Sequence, residues 1–216
     1  MKISLAVNLD LLIEEIRNLM NSDVKKTIEE KVKSFKELGR KNIEEIFKEL
    51  CFCIIAAGYD AERSVRIQKE IGDGFLYLSE EALAEKLRNL GHRYPELKAR
   101  YIVKAREKIN ELKNVLEKFE DSRQIREWLM ENIEGVGYKV ASHFLRNIGR
   151  MDLAIIDIHI LNILRRHGVI KHFKTLTKKR YIEIEKILEK ISEKLKLDLG
   201  ELDLYLWYME TGKIVK

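Results

Sequence analysis

The chain has 216 residues, of which 45% are hydrophobic and 36% charged, and its formal net charge is +5. This length can bury a core as one domain or as two compact halves. No stretch is apolar for long enough to span a membrane, and acidic residues come too early for a signal peptide, so we expect an intracellular, cytoplasmic protein. The basic surplus permits a nucleic-acid partner but is weak evidence for one, since 36 acids accompany 41 bases.

The two cysteines exclude several classes of redox and metal protein. Cys51 and Cys53 are too few for a four-cysteine iron–sulfur cluster or a disulfide framework. Because a single residue separates them, they point to different faces of a helix and fit neither a CxxC redox pair nor a zinc site. We interpret both as buried small side chains, and we expect no metal and no other cofactor.

Apolar residues recur at three- and four-residue intervals along nearly the whole chain, without the alternation typical of strands. The pattern predicts an all-α fold of about ten helices. Asn42, Ser79 and Asp121 stand where N-caps are expected. The predicted helices are Leu9–Met20, Val24–Leu38, Ile43–Ala57, Ala61–Ile71, Glu80–Leu90, Pro95–Phe119, Ser122–Asn132, Lys139–Ile148, Ile158–Arg166, Lys178–Leu195 and Gly200–Glu210.

A short turn with two glycines, Ile133–Gly137, lies between two of these helices. Gly135 and Gly137 allow positive φ and a close approach of the backbone, and the N–H groups at the start of the following helix attract anions such as a DNA phosphate. Taken alone, such a turn more often serves as ordinary helix capping. The hydrophobic-x-Gly-hydrophobic-Gly pattern, followed by a lysine, favours a helix-hairpin-helix motif that binds DNA.

Two residues add possible chemistry to this motif. Lys139 lies in the first turn of its helix, where it is either an amine nucleophile or a phosphate-binding lysine. Asp157 follows an apolar run and precedes the helix Ile158–Arg166, which is an N-cap position. Capping keeps a carboxylate ionised and in place, so it is compatible with a catalytic role.

Five segments, in order, resemble one family closely. The hairpin, the lysine and the distal aspartate resemble the helix-hairpin-helix superfamily of DNA glycosylases. More narrowly, the sequence is similar to the type-2 8-oxoguanine DNA glycosylases of archaea and thermophiles, over most of the chain. The segments are CFCII at 51–55, GHRYP at 91–95, ASHFLRNIG at 141–149, LAIIDIHIL at 153–161 and ELDLYLWYMETGKIVK at 201–216.

The resemblance implies an architecture and an activity. It implies two compact helical subdomains, 43–150 with the hairpin at 122–149, and 1–42 plus 151–216, with the hairpin at the cleft between them. It implies a bifunctional enzyme that flips 8-oxoguanine out of double-stranded DNA, excises it, and cleaves the abasic site by β-elimination. We expect a monomer that needs no protein partner and no membrane and associates with the nucleoid when bound to DNA.

The resemblance also assigns roles to individual residues. Lys139 would form a Schiff base with the sugar, and Asp157 would stabilise the positive charge that develops there. Tyr94 and Trp207 would sandwich the flipped base, although simple packing is the alternative for both. Lys216, with a free carboxylate, would accept the N7–H that distinguishes 8-oxoguanine from guanine. The residues expected to bind DNA phosphates are Gly135, Gly137 and His159, and packing or capping is the alternative for His159.

Two departures from the family pattern leave the lesion preference and the phosphate contacts open. Val140 stands where a glutamate often follows the lysine, and Ile158 where an arginine often follows the aspartate. A helix-hairpin-helix glycosylase for another lesion is one alternative function. A non-catalytic helix-hairpin-helix module that grips DNA is another, and a helical protein–protein scaffold is a third.

Overall fold

The computed structural model describes the backbone of residues 2–216 and the side chains of residues 9–216. These residues form thirteen helices and no strand, so the all-α prediction is confirmed. The helices are α1 (Lys2–Met20), α2 (Val24–Leu38), α3 (Ile43–Ala56), α4 (Ala61–Ile71), α5 (Gly74–Tyr77), α6 (Glu80–Asn89), α7 (Pro95–Glu107), α8 (Ile109–Lys118), α9 (Ser122–Asn132), α10 (Tyr138–Asn147), α11 (Ile158–Arg166), α12 (Lys178–Leu195) and α13 (Leu199–Thr211).

The count exceeds the expected number at two places. The helix predicted over residues 95–119 is divided at Lys108, which has φ −98° and ψ 9° and separates α7 from α8. No glycine or proline marks this junction, and the apolar periodicity continues through it. The sequence therefore gives no sign of the break. The single turn α5 is too short to show any periodicity.

The expected N-caps are present. Asn42 Oδ1 accepts a hydrogen bond from the backbone N–H of Glu45 at 3.0 Å, and Ser79 caps α6 in the same way. Asp121 caps α9 by accepting from the N–H of Arg123 at 2.9 Å. These bonds satisfy N–H groups that a helix start leaves without partners.

The chain divides into two compact units, and the second unit comprises Phe35–Gly149 and Val215–Lys216. Its central helix is α3, which packs against α4, α7 and α10. Neighbours surround α3, and every residue from Ile46 to Ala56 except Lys48 is buried, which explains the apolar character of this part of the helix on all faces. Cys51 and Cys53 are buried free thiols within it, as interpreted from their spacing, and burial raises the pKa of both.

The first unit comprises Met1–Ser34 and Arg150–Ile214. Within it, α13 packs against α11 and α12, and α12 also packs against α1. The domain division expected from the sequence stays a prediction, and in the structure residues 35–42 and the last two residues group with the second unit. Among the described helices, none combines the length and the apolar character needed to cross a bilayer.

Candidate functional site

The hairpin consists of α9, the turn and α10, and its two glycines differ in what they do. Gly135 has φ +81°, and a Cβ built on it would lie 2.3 Å from the ring of Tyr101. Gly137, the N-cap of α10, has φ −106° and open space where a Cβ would stand. The expectation of positive φ therefore holds for Gly135 and is wrong for Gly137, which leaves its surface clear instead.

The acidic residue of the turn, Glu134, is paired with two cations of α7. Arg100 Nη2 donates to it at 3.2 Å and Lys104 Nζ at 2.5 Å. The hydrogen bond from Lys104 is the main cause of the lowered pKa of Glu134. A carboxylate in a turn that is expected to bind anions would otherwise repel them, and these partners offset its charge.

Lys139 is half-buried in the first turn of α10. Within its own unit, the described side chains offer its ammonium no hydrogen-bond or salt-bridge partner. A second lysine, Lys98, is only 6% exposed and donates from Nζ to the carbonyl of Ala57 at 3.0 Å. Burial, and then the charge of Lys139, lower the pKa of Lys98 to about 8.

His143 follows Lys139 by one helical turn and is buried. It meets Phe52 edge to face, with ring centroids 5.8 Å apart. Burial is the main cause that lowers the pKa of His143 well below its ordinary value, and the charges of Arg146 and Lys139 act in the same direction. His143 therefore belongs to the packed interior of the second unit.

Tyr94 is 41% exposed at the start of α7, directly before Pro95. The guanidinium of Arg93 lies 5.0 Å from the centroid of its ring. His92 holds the backbone of Tyr94 in place, because its Nδ1 accepts a hydrogen bond from the Tyr94 backbone N–H at 3.1 Å. His92 is therefore a buried support for Tyr94.

Asp157, in the first unit, is the N-cap of α11. Its Oδ1 accepts from the backbone N–H groups of His159 at 2.9 Å and Ile160 at 3.1 Å. These bonds confirm the cap expected from the sequence and fix the orientation of the carboxylate. The next residue, Ile158, is 58% exposed.

Residues 153–156, which lead to Asp157, are buried and form no helix or strand, and side chains of α12 bond to their backbone. Glu185 Oε1 accepts from the N–H of Ala154 at 3.1 Å. The hydroxyl of Tyr181 donates to the carbonyl of Ala154 at 2.8 Å and accepts from the N–H of Ile156 at 3.2 Å. Side chains thus replace the ladder that a strand partner would supply.

Trp207 and His159 are in contact within the first unit. Their ring centroids are 4.7 Å apart at an interplanar angle of 72°. Both side chains are partly exposed, so Trp207 is not the core residue that its apolar run allowed as an alternative.

Lys216 is held by its side chain in the second unit. Its Nζ donates to Glu49 Oε2 and to Gln68 Oε1, both at 2.6 Å, and lies 4.2 Å from the centroid of Phe52. The backbone of Lys216 is hydrogen-bonded to His143. Both the side chain and the backbone of Lys216 are therefore held by residues of the second unit.

The expected site residues fall in both units. The second unit carries the hairpin glycines, Lys139, Tyr94 and Lys216, and the first carries Asp157, His159 and Trp207. Among the described side chains, no group of three or more His, Cys, Asp or Glu residues could hold a metal ion.

The comparison with protein families is decisive. The family described as 8-oxoguanine DNA glycosylase, of the helix-hairpin-helix type, matches residues 28–197. The chain belongs to this family. A relative from Methanocaldococcus jannaschii, named 8-oxoguanine DNA glycosylase/AP lyase, is 52% identical over 95% of this chain and 100% of its own length. A relative of the same name from Korarchaeum cryptofilum is 47% identical, over 97% of this chain and 100% of its own length.

A solved structure agrees with this assignment to the glycosylase family. The M. jannaschii 8-oxoguanine glycosylase/lyase, crystallised with a 15mer DNA containing 8-oxoguanine, has 52% sequence identity and superposes with a TM-score of 0.92, covering 95% of this chain and 100% of the other. The resemblance seen in the five sequence segments is confirmed.

Several residues around the expected site were not found by sequence reasoning in this glycosylase. Two of them hold the side chain of Lys216, two bond to the segment before Asp157, and one is a buried lysine whose pKa the charge of Lys139 lowers, so only packing reveals them. One sequence signal existed: Glu49 is a carboxylate that directly precedes the apolar run Leu50–Ala56 of α3. The residues are Glu49, Gln68, Lys98, Tyr181 and Glu185.

Proposed function

We propose that the chain excises 8-oxoguanine from double-stranded DNA and then cleaves the strand at the abasic site. The observation that carries the proposal is full-length similarity to proteins named 8-oxoguanine DNA glycosylase/AP lyase. The exposed Gly137 and the adjoining start of α10 support it, because they are open to a phosphate.

In the proposed reaction, Lys139 is the nucleophile. Its neutral amine attacks C1′ of the damaged nucleotide, and the electron pair of the glycosidic bond leaves with the base, which takes up a proton. The amine loses its protons as the sugar ring opens, which yields a Schiff base. The imine acidifies the proton on C2′, and its removal expels the 3′ oxygen with its phosphate, which breaks the strand. Water then releases the lysine.

The other residues are proposed to bind and stabilise. The carboxylate of Asp157, oriented by its cap bonds, stabilises the positive charge that develops on the sugar. Tyr94 and Trp207 contact the flipped base through their exposed ring faces, and Lys216 reads it. Gly135, Gly137 and His159 contact phosphates of the DNA.

We further propose an intracellular, nucleoid-associated location, because the proposed substrate is chromosomal DNA. The chain is expected to act without a metal, without a protein partner and as a monomer, and these expectations stay predictions.

Borohydride trapping tests the proposal. Incubation with a duplex that contains 8-oxoguanine should give a covalent protein–DNA adduct on reduction, because borohydride converts the imine to a stable amine. The variant Lys139→Gln should give none. Lys69→Gln, which alters an exposed lysine of α4, is the matched control and should give the wild-type yield.

Duplexes with uracil, thymine glycol or a preformed abasic site extend the test. Excision of another base in preference to 8-oxoguanine would indicate a glycosylase for another lesion. DNA binding that depends steeply on salt, with no cleavage and no adduct, would indicate a non-catalytic module. An undiminished adduct in Lys139→Gln would remove this lysine from the mechanism.

A further inference from the structure

A buried carboxylate, that of Glu49, faces the side chain of Lys216. Glu49 is 2% exposed, and its Oε2 accepts from the Lys216 ammonium at 2.6 Å. A carboxylate in such a place is costly unless a counterion and hydrogen bonds compensate it. Lys216 is thus the counterion of Glu49.

The carboxylate of Glu49 also accepts hydrogen bonds from two other residues of the second unit. Its Oε1 accepts from Asn147 Nδ2 at 2.6 Å, and Gln68 Nε2 donates to Oε2 at 3.2 Å. Asn147 Oδ1 in turn accepts from Arg146 at 2.8 and 3.0 Å. The three helices that carry these residues, α3, α4 and α10, belong to the second unit, as Lys216 does, so the anchor that Glu49, Gln68 and Asn147 form lies within one unit.

The backbone of Lys216 lies on the other side of this anchor. It is hydrogen-bonded to His143, one turn beyond Lys139. The Nδ1 of His143 has no partner among the described residues, so the other ring nitrogen makes this contact. The contact raises the pKa of His143, so the imidazole N–H donates to a main-chain oxygen of Lys216. The side chain of Lys216 is fully engaged with Glu49, Gln68 and Phe52, so the second lone pair of that main-chain oxygen is the acceptor left to meet a ligand.

We propose that Glu49, with Gln68, is a positioning residue for base discrimination: it seats the Lys216 side chain so that the Lys216 main-chain oxygen is presented to the flipped base. The inference rests on the proposed function, since it assumes that the base bound is 8-oxoguanine. The lesion differs from guanine by carrying a proton on N7. A hydrogen-bond acceptor distinguishes the two bases only when it is held at hydrogen-bond distance from N7. In this arrangement the Lys216 ammonium does not contact the base.

The first test compares two substrates. Glu49→Gln removes the charge and keeps the shape, and it should lower kcat/KM for 8-oxoguanine excision about 10- to 100-fold, the loss typical of a charge-assisted hydrogen bond. Cleavage of a preformed abasic site bypasses base recognition, so the ratio of excision to abasic-site cleavage should fall. Glu45→Gln, which removes an exposed carboxylate from the same helix, should leave the ratio unchanged.

A double-mutant cycle shows whether Glu49 acts through Lys216. Lys216→Met removes the ammonium and should lower the same ratio. The double variant should lose no more than either single variant. Gln68→Ala should act in the same direction with a smaller loss, and it keeps the proposal testable if Glu49→Gln does not fold.

Melting temperatures of the same variants separate the inference from the proposed function. The two single changes should lower the melting temperature non-additively, because each leaves the other group unpaired. Additive melts, or an unchanged excision ratio in folded Glu49→Gln, would overturn the positioning role. If the wild-type protein processed neither substrate, the proposed function would fail, while non-additive melts would still support the anchor.

Discussion

His92 and Tyr94 are joined by a hydrogen bond from the Tyr94 backbone N–H to His92 Nδ1, at 3.1 Å. Because Nδ1 accepts, Nε2 carries the proton and donates to the carbonyl of Ile55 at 3.0 Å. The imidazole is therefore neutral, and burial is the main cause of its lowered pKa. It connects the end of α3 to the start of α7, where the exposed ring of Tyr94 is presented.

Replacement of this histidine should be costly. His92→Phe fills much of the volume but leaves a buried carbonyl and an N–H without partners, so the free energy of unfolding should fall by about 1–3 kcal/mol. Chemical denaturation would measure the loss. His172→Phe, at an exposed position, is the control. Equal stability of both variants would show that His92 does not support Tyr94.

The two oxygens of Asp157 allow capping and chemistry to be separated. Asp157→Asn keeps a side-chain oxygen that can cap α11, so its stability should change little, while excision should slow about a hundredfold or more because the carboxylate charge is lost. Thr177→Ala, which removes the cap of α12 in the same unit, should cost about 1 kcal/mol and leave the excision rate near wild type. A full excision rate in folded Asp157→Asn would exclude the carboxylate from the reaction.

The two glycines of the hairpin turn should fail in different ways. Gly135→Ala places a Cβ against Tyr101 at positive φ, so it should lower the unfolding free energy by more than about 1 kcal/mol. Gly137→Ala has room in the free protein but projects a methyl group toward the proposed phosphate, so it should weaken DNA binding about tenfold. Thermal melts and fluorescence anisotropy with a lesion duplex measure the two effects. A stable Gly135→Ala that binds DNA weakly, beside an unstable Gly137→Ala, would contradict this division of roles.

Lys98 should make stability depend on pH. Its pKa is about 8 in the folded chain, below the ordinary value of 10.5, so the unfolded chain binds more protons between these values. Below pH 8 the free energy of unfolding should be lowered by the full cost of burying the charged ammonium. It should rise between pH 8 and 10.5, and Lys98→Met should abolish this rise. The measurement is the difference in unfolding free energy between wild type and variant across this window. Lys86→Met, at an exposed position of α6, should preserve the rise.

Local signals in the sequence determined the helices and pointed to the residues proposed for the chemistry. Periodic apolar residues located all but one short helix, and cap residues such as Asp157 were found because an N-cap bonds to groups two or three positions away. The hairpin and Lys139 were found for the same reason, since their motif is contiguous. The junction at Lys108 was missed because it requires no special residue.

Contacts over long sequence separations were decided only by the tertiary structure. Glu49 and Lys216 are 167 residues apart, and nothing in their local sequence pairs them. Likewise, Tyr181 and Glu185 satisfy the backbone before Asp157 from a helix that reads as an ordinary amphipathic segment. Periodicity reveals which face of a helix is buried, but the partner of a buried polar group depends on how distant helices pack. The sequence therefore indicated the residues that we propose to react, and packing determined the groups around them.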